Sequence, residues 1–318
     1  MGVTFALAAM LCFSANILIT RYAVTRLPVE AGFFIVLATN ILLPAILFPF
    51  ELAARAAPWA WDWKGAGLFA IGGVIGTFLG RRMLFDAVRM LGPSRASVFH
   101  STAPAFALVG AWLLADERLG FYEIGLMAVV WFGLWFTQPR AGSMRGPSTG
   151  AIPLSPANVP ANVPANVPAN VPANVRKGML AGLLTVAGFG IGNVLRGLAM
   201  RGWDEAILGT VVSSLAALAC QVVATRGWGK IAAQLRGAER IAVWLYVGCG
   251  VTTAFGSIFV ALAMNRMEIA LAVLVVHTTP LVIFPVSVLI LKNREALTPR
   301  TLLGALMVLS GIALLAFR

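Results

Sequence analysis

The sequence predicts an all-α polytopic membrane protein with ten transmembrane helices, built as two inverted five-helix repeats. Three observations carry that prediction. The 318 residues are 59% hydrophobic and 11% charged, whereas a soluble domain holds roughly 25% charged residues. Ten apolar runs follow one another, each near the ~20 residues that cross a bilayer, with none of the alternation of a membrane β-barrel. Finally, Gly72–Pro104 recurs 176 positions later as Gly248–Pro280 without a gap. Gly72 aligns with Gly248, Gly76 with Thr252, Gly80 with Gly256, Thr102 with Thr278 and Pro104 with Pro280. Each match is weak alone, but the shared register points to an internal duplication.

The spans of the first half are Val3–Thr20, Ala31–Phe50, Gly65–Leu91, Ser94–Ala115 and Leu119–Thr137. The first is apolar from its start and lacks a basic leader, which favours a span over a cleaved signal. Trp59, Trp61 and Trp63 precede the third beside Lys64, as an interfacial anchor would. The second half repeats the plan as Gly178–Met200, Ala206–Thr225, Ile241–Asn265, Ile269–Leu291 and Thr301–Phe317. Between the halves, five tandem copies of Pro-Ala-Asn-Val occupy Pro156–Val175. Proline at every fourth position forbids a regular helix, so 140–177 reads as a flexible, polyproline-like linker between repeats at 1–139 and 178–318. A five-helix unit copied in tandem must sit upside down relative to its twin. Inverted repeats place a substrate site near the midplane, where the halves meet.

Several function classes fall away. No G-x-S-x-G, H-E-x-x-H or P-loop occurs, so no enzyme, pump ATPase or cofactor is expected. The 24 Lys+Arg against 12 Asp+Glu, a net of +12, form no basic stripe with interleaved aromatics, which speaks against nucleic acid. Cys12, Cys220 and Cys249 stand far apart in apolar runs and read as small core residues.

Further paired elements join the glycine block. Ser14-Ala15-Asn16 answers Ile191-Gly192-Asn193. Thr102-Ala103-Pro104 through Glu117 answers Thr278-Thr279-Pro280 through Glu295. Gly125 and Gly133 answer Gly304 and Gly311 in the closing helices. With these residues the chain resembles the EamA-like family of the drug/metabolite transporter superfamily, over nearly its whole length outside the linker. The resemblance implies a carrier of small metabolites, often an exporter of amino acids or related compounds, and a cytoplasmic amino terminus. The charge count opposes that orientation. Roughly six Lys/Arg fall on the side of the termini and about fifteen on the other, which places the termini outside and the linker in the cytoplasm.

The candidate substrate-binding residues are Asn16, Arg82, His100, Asn193, Arg196 and His277. A buried Asn needs hydrogen-bond partners, which substrate or a neighbouring helix can supply. Arg82, Asp86 and Arg89 share one side of the third span, opposite Gly80. They form either a cationic cavity wall or a snorkelling helix end. Arg196 follows Asn193 on one face and suits a carboxylate or phosphate. His100 and His277 titrate near neutrality, which makes protons the candidate coupling ion, or they are packing residues. Neither has a carboxylate or Cys at ligand spacing, so no metal is expected. Gly72, Gly76 and Gly80, with Gly248 and Gly256, form small-residue ridges for packing within the chain or in a homodimer. Pro104 and Pro280 are candidate hinges. Glu117 and Glu295 suit a capping role, with proton carriage as the other reading. The resulting expectation is a multi-pass inner-membrane carrier of a small polar or amphipathic metabolite, of amino-acid or organic-anion type. The alternatives are a flippase for a phosphate-bearing lipid and a non-transporting assembly protein.

Overall fold

The computed structural model of the chain describes residues 1–24, 26–55, 59–91, 102–117, 120–137, 175–225, 228–279, 281–283, 286 and 299–316. Helices account for almost all of them, and no strand occurs among the described residues. In the first half α1 spans Gly2–Ala23 and α2 spans Val29–Ala54. Next, α3 covers Trp63–Gly72 and runs through a π-helical segment, Gly73–Gly80, into α4 at Arg81–Leu91. Asp62 starts α3, its carboxylate accepting from the Lys64 and Gly65 N–H groups. The half closes with α5, Ala103–Ala115, and α6, Phe121–Thr137. The second half holds α7 (Val175–Gly202), α8 (Ala206–Ala224), α9 (Trp228–Arg236), α10 (Arg240–Met264), α11 (Ile269–Val276) and α12 (Pro299–Ala316).

Six stretches are long and apolar enough to cross a membrane: Gly2–Thr20, Val29–Ala54, Trp63–Leu84, Lys177–Gly202, Ala206–Ala224 and Arg240–Met264. Ala103–Ala115, 124–133 and Ile269–Ile283 are shorter apolar helices. The chain is thus an all-helical, multi-pass membrane protein whose helices pair between the repeats. Helix α1 lies along α10, as α7 lies along α3, the π-segment and α4. In the same way α2 packs on α8, and α6 on α12. That last contact uses the small residues of the closing helices. A Cβ on Gly133 would stand 2.8 Å from the Gly304 carbonyl oxygen, and one on Gly311 2.4 Å from a Val130 methyl.

The glycine ridge of the third span has its partner inside the chain. Gly72 and Gly76 lie against Gly192, and Gly80 against Phe189, all on α7. In the second copy the contacts are looser. Gly256 faces Phe13, and a Cβ added to Gly248 would stand 3.8 Å from Ile19. Glycine on both sides lets α7 and the π-segment touch backbone to backbone, which small residues permit between membrane helices.

Four features differ from the sequence expectation. Val175–Lys177 are helical, although they were assigned to the linker. A short helix, α9, sits between α8 and α10. Pro104 occupies the first turn of α5, where its missing N–H breaks no helical bond. The third span is not a regular helix, because the π-segment occupies its middle. Of the expected features, the linker up to residue 174, His100, Pro280 and Glu295 lie outside the described residues.

Candidate functional site

A cavity of about 200 Å³ lies between the repeats, bounded by α1, α2, the third span, α7, α8, α10 and α11. None of its described lining residues comes from the closing helices α6 and α12. The wall is mixed. Phe13, Phe33, Phe69 and Phe189 supply aromatic surface, Thr210, Ser213, Ser214, Thr253 and Ser257 supply hydroxyls, and Arg81 and Arg196 supply charge. No Asp or Glu is among the described lining residues.

Four of the six expected binding residues, Asn16, Asn193, Arg196 and His277, meet on this cavity. Asn16 is tied to the opposite repeat. Its Nδ2 donates to the Cys249 carbonyl at 2.8 Å and to Thr253 Oγ1 at 2.8 Å. Asn193, its counterpart on α7, makes no side-chain hydrogen bond among the described residues and presents its amide to the cavity. The two asparagines therefore divide the readings left open for them, one joining helices and one facing the void.

Arg196 is braced by neutral groups. Its Nε donates to Ser213 Oγ at 3.1 Å, and one Nη donates to Thr77 Oγ1 at 2.5 Å and to the Gly72 carbonyl at 3.4 Å. It thus ties α7 to the π-segment and α8. His277 donates from Nδ1 to the Val273 carbonyl at 2.7 Å, since a carbonyl can only accept. Helix α11 stops at Val276, and His277–Thr279 form a turn before helix resumes at 281–283. Pro280 explains the stop, because proline lacks an N–H and disfavours helix in the residue before it. A broken helix at mid-bundle, lining a cavity, is a recurring feature of carrier sites.

Arg82 is exposed and does not line the cavity, whereas its neighbour Arg81 does. The π-segment accounts for the one-residue difference. Its i→i+5 bonding replaces the i→i+4 step, so Arg81 follows Gly76 on the cavity face where a regular helix would place Gly80. The Arg81 guanidinium carbon sits 4.5 Å from the Phe33 ring centroid. Its Nε is buried without a hydrogen-bond partner, and no acid pairs with it among the described residues.

Residues the sequence did not flag complete the wall. Asn40, only 4% exposed, has an unpartnered Oδ1. The signal for it was a single amide in the otherwise apolar second span. Thr77, Ser213 and Ser214 gave no signal, since hydroxyl residues are common in membrane helices as backbone-bonded spacers.

Two cross-repeat ion pairs lie at the end of the bundle that carries Met1. The buried Glu205 carboxylate accepts from both terminal nitrogens of Arg55, at 2.5 and 3.0 Å, and Arg55 also meets Glu51. These bonds, with Glu205 first, raise the Arg55 pKa above its ordinary value. At the second pair Glu117 accepts from Arg201 and from the Ile269 and Ala270 N–H groups. It caps α11 across the repeat boundary. Trp203 packs beside these pairs, its Nε1 donating to the Ala60 carbonyl at 3.1 Å and its ring edge-on to Trp61.

Comparison with known proteins agrees with this architecture. Among solved structures, one described only as a crystal structure of a protein superimposes with a TM-score of 0.64 at 17% identity, over 99% of this chain and 96% of its own. At that identity the likeness concerns the fold. The search of curated proteins gave no match. The model of the EamA-like transporter family matches residues 1–138 and 176–317. With both halves matched, the chain belongs to the EamA-like transporter family, whose members are transporters and not enzymes.

Proposed function

We propose that this chain is a secondary carrier that moves a small organic anion across the inner membrane by alternating access of the cavity between its repeats. The observation that carries this reading is the pair Arg81 and Arg196 on a cavity wall with no acidic residue among its described members. A guanidinium with unused donors matches a carboxylate or phosphate in charge and in planar geometry. The four phenylalanines leave room for an apolar body behind the charged head. At about 200 Å³ the cavity suits a metabolite smaller than a drug-sized ligand. Asn193 and His277 would then orient the uncharged part of the substrate. Export is the direction that the family resemblance implies.

Arg81 is the residue to test. It spends no hydrogen bond on the fold among the described residues, so replacing it disturbs packing little. Hydrogen bonds to charged groups contribute about 1.5–3 kcal/mol, which is roughly 10- to 100-fold in affinity. Arg81→Gln is expected to lower transport of labelled organic anions into proteoliposomes by about that factor, with an unchanged elution profile. Arg81→Lys should restore part of it. Wild-type rates from a well-folded Arg81→Gln protein would refute the anion reading.

A further inference from the structure

Alternating access passes through a state in which the cavity is closed at both ends. Every group bracing Arg196 is neutral: Thr77 and Ser213 hydroxyls and the Gly72 carbonyl. Arg81 has the Phe33 ring and a buried, unpartnered Nε. Among the described residues the other titratable groups lining the cavity are Tyr246, Cys249 and His277, none a carboxylic acid. Arginine does not release its proton in proteins. The empty cavity therefore holds two fixed positive charges, and none of its described residues neutralises them.

Water is the only counterweight while the cavity is hydrated. Closure removes it and lowers the local dielectric. Desolvation of both guanidinium groups and their mutual repulsion then rise together. A bound anion reverses that balance, because the same loss of water strengthens its attraction to both arginines. A ligand shifts a conformational equilibrium by its differential affinity for the two states, and here the anion favours the closed state. The loaded carrier closes readily, and the empty one does not.

Resting on the anion-carrier reading above, we infer that the carrier is an obligatory exchanger: Arg81 and Arg196 let it cross the closed state only with an anion aboard. Each inward passage of one anion is then matched by outward passage of another. Net movement of a single anion requires the disfavoured return of the empty carrier.

The test uses the full-length protein in phosphatidylethanolamine–phosphatidylglycerol vesicles. The probes are labelled pyruvate, succinate, benzoate and inorganic phosphate. Potassium on both sides with valinomycin removes any limit set by membrane voltage. Vesicles contain either the unlabelled probe or sucrose of equal osmolarity. Exchange predicts uptake into anion-loaded vesicles at least about tenfold faster than into sucrose-loaded ones. Arg81→Gln should narrow that ratio, since one fewer charge is closed away empty, and Arg81→Lys should keep it. Equal wild-type uptake into both vesicle types overturns exchange and leaves the carrier reading standing. Entry of no probe into either type overturns both. The wild-type ratio decides the matter even where the variant does not fold.

Discussion

Glu117→Ala is expected to destabilise the protein by about 1–3 kcal/mol for each of the two helix N–H groups that it leaves without an acceptor. Glu117 is 7% exposed and serves three donors at once. Its Oε1 accepts from the Ile269 N–H at 2.8 Å and from Arg201, and its Oε2 faces the Ala270 N–H at 3.4 Å. Asp116 directs it there, ending α5 in the left-handed region with φ 50°. Alanine would leave the first N–H groups of α11 without an acceptor, at the entrance to the most apolar core of the bundle. Arg201 is different. Its side chain is 39% exposed, so after the loss of Glu117 it can turn to solvent. Arg201→Ala should cost only about 0–1 kcal/mol, as at other partly solvated pairs. Thermal melts of purified protein check this, with a Tm drop on the order of 10 °C for Glu117→Ala. Glu117→Gln should fall between, because it keeps an acceptor oxygen. Equal losses for Glu117→Ala and Arg201→Ala would mean that the salt bridge, and not the helix cap, is what Glu117 supplies.

Much of this architecture was legible in the sequence, and the limits have physical causes. Length and hydropathy separate membrane helices from loops without knowledge of contacts, so the two halves could be read directly. Asn16, Asn193, Arg196 and His277 were visible as polar groups in apolar spans, and the structure places all four on one cavity. The capping role of Glu117 followed from its position after a helix. Arg81 and Arg82 both read as a cationic wall, and Arg82 alone enters the expected binding set because wheel arithmetic assumes 100° per residue. A π-segment breaks that assumption without changing composition. Nothing in the composition of Gly73–Gly80 distinguishes i→i+5 from i→i+4 bonding, and the segment's close seat against α7 is a property of two helices together. Asn40 and the hydroxyls of α8 needed knowledge of which helix face meets the other repeat. Pairing between repeats is a property of two segments together, and no single span records it.

That same seat produces the second large effect. Gly192→Ala should disable the protein more than any substitution of an expected ligand residue. A Cβ at position 192 would lie 2.6 Å from the Gly76 Cα, 2.8 Å from the Gly76 nitrogen and 3.0 Å from the Gly72 carbonyl oxygen. All three are backbone atoms, so no rotamer change relieves the clash and the two helices must part. Overpacking of this kind costs about 1–3 kcal/mol, occasionally more. Separation would also draw Arg196 away from Thr77 and the Gly72 carbonyl. Gly125→Ala is the control, because a Cβ there meets nothing within 4 Å. By helix propensity it should be neutral or stabilising by up to about 1 kcal/mol. Comparing thermal stability and anion uptake of the two variants separates a steric cause from a general intolerance of alanine in membrane glycine positions. If Gly192→Ala melts and transports like Gly125→Ala, the α7 seat is not tight and the placement of Arg81 on the cavity face loses its explanation. If Gly192→Ala alone fails, the backbone contact between α7 and the π-segment is needed to hold the helix that carries Arg81 in place. A packing requirement between the repeats then sets the charge of the site.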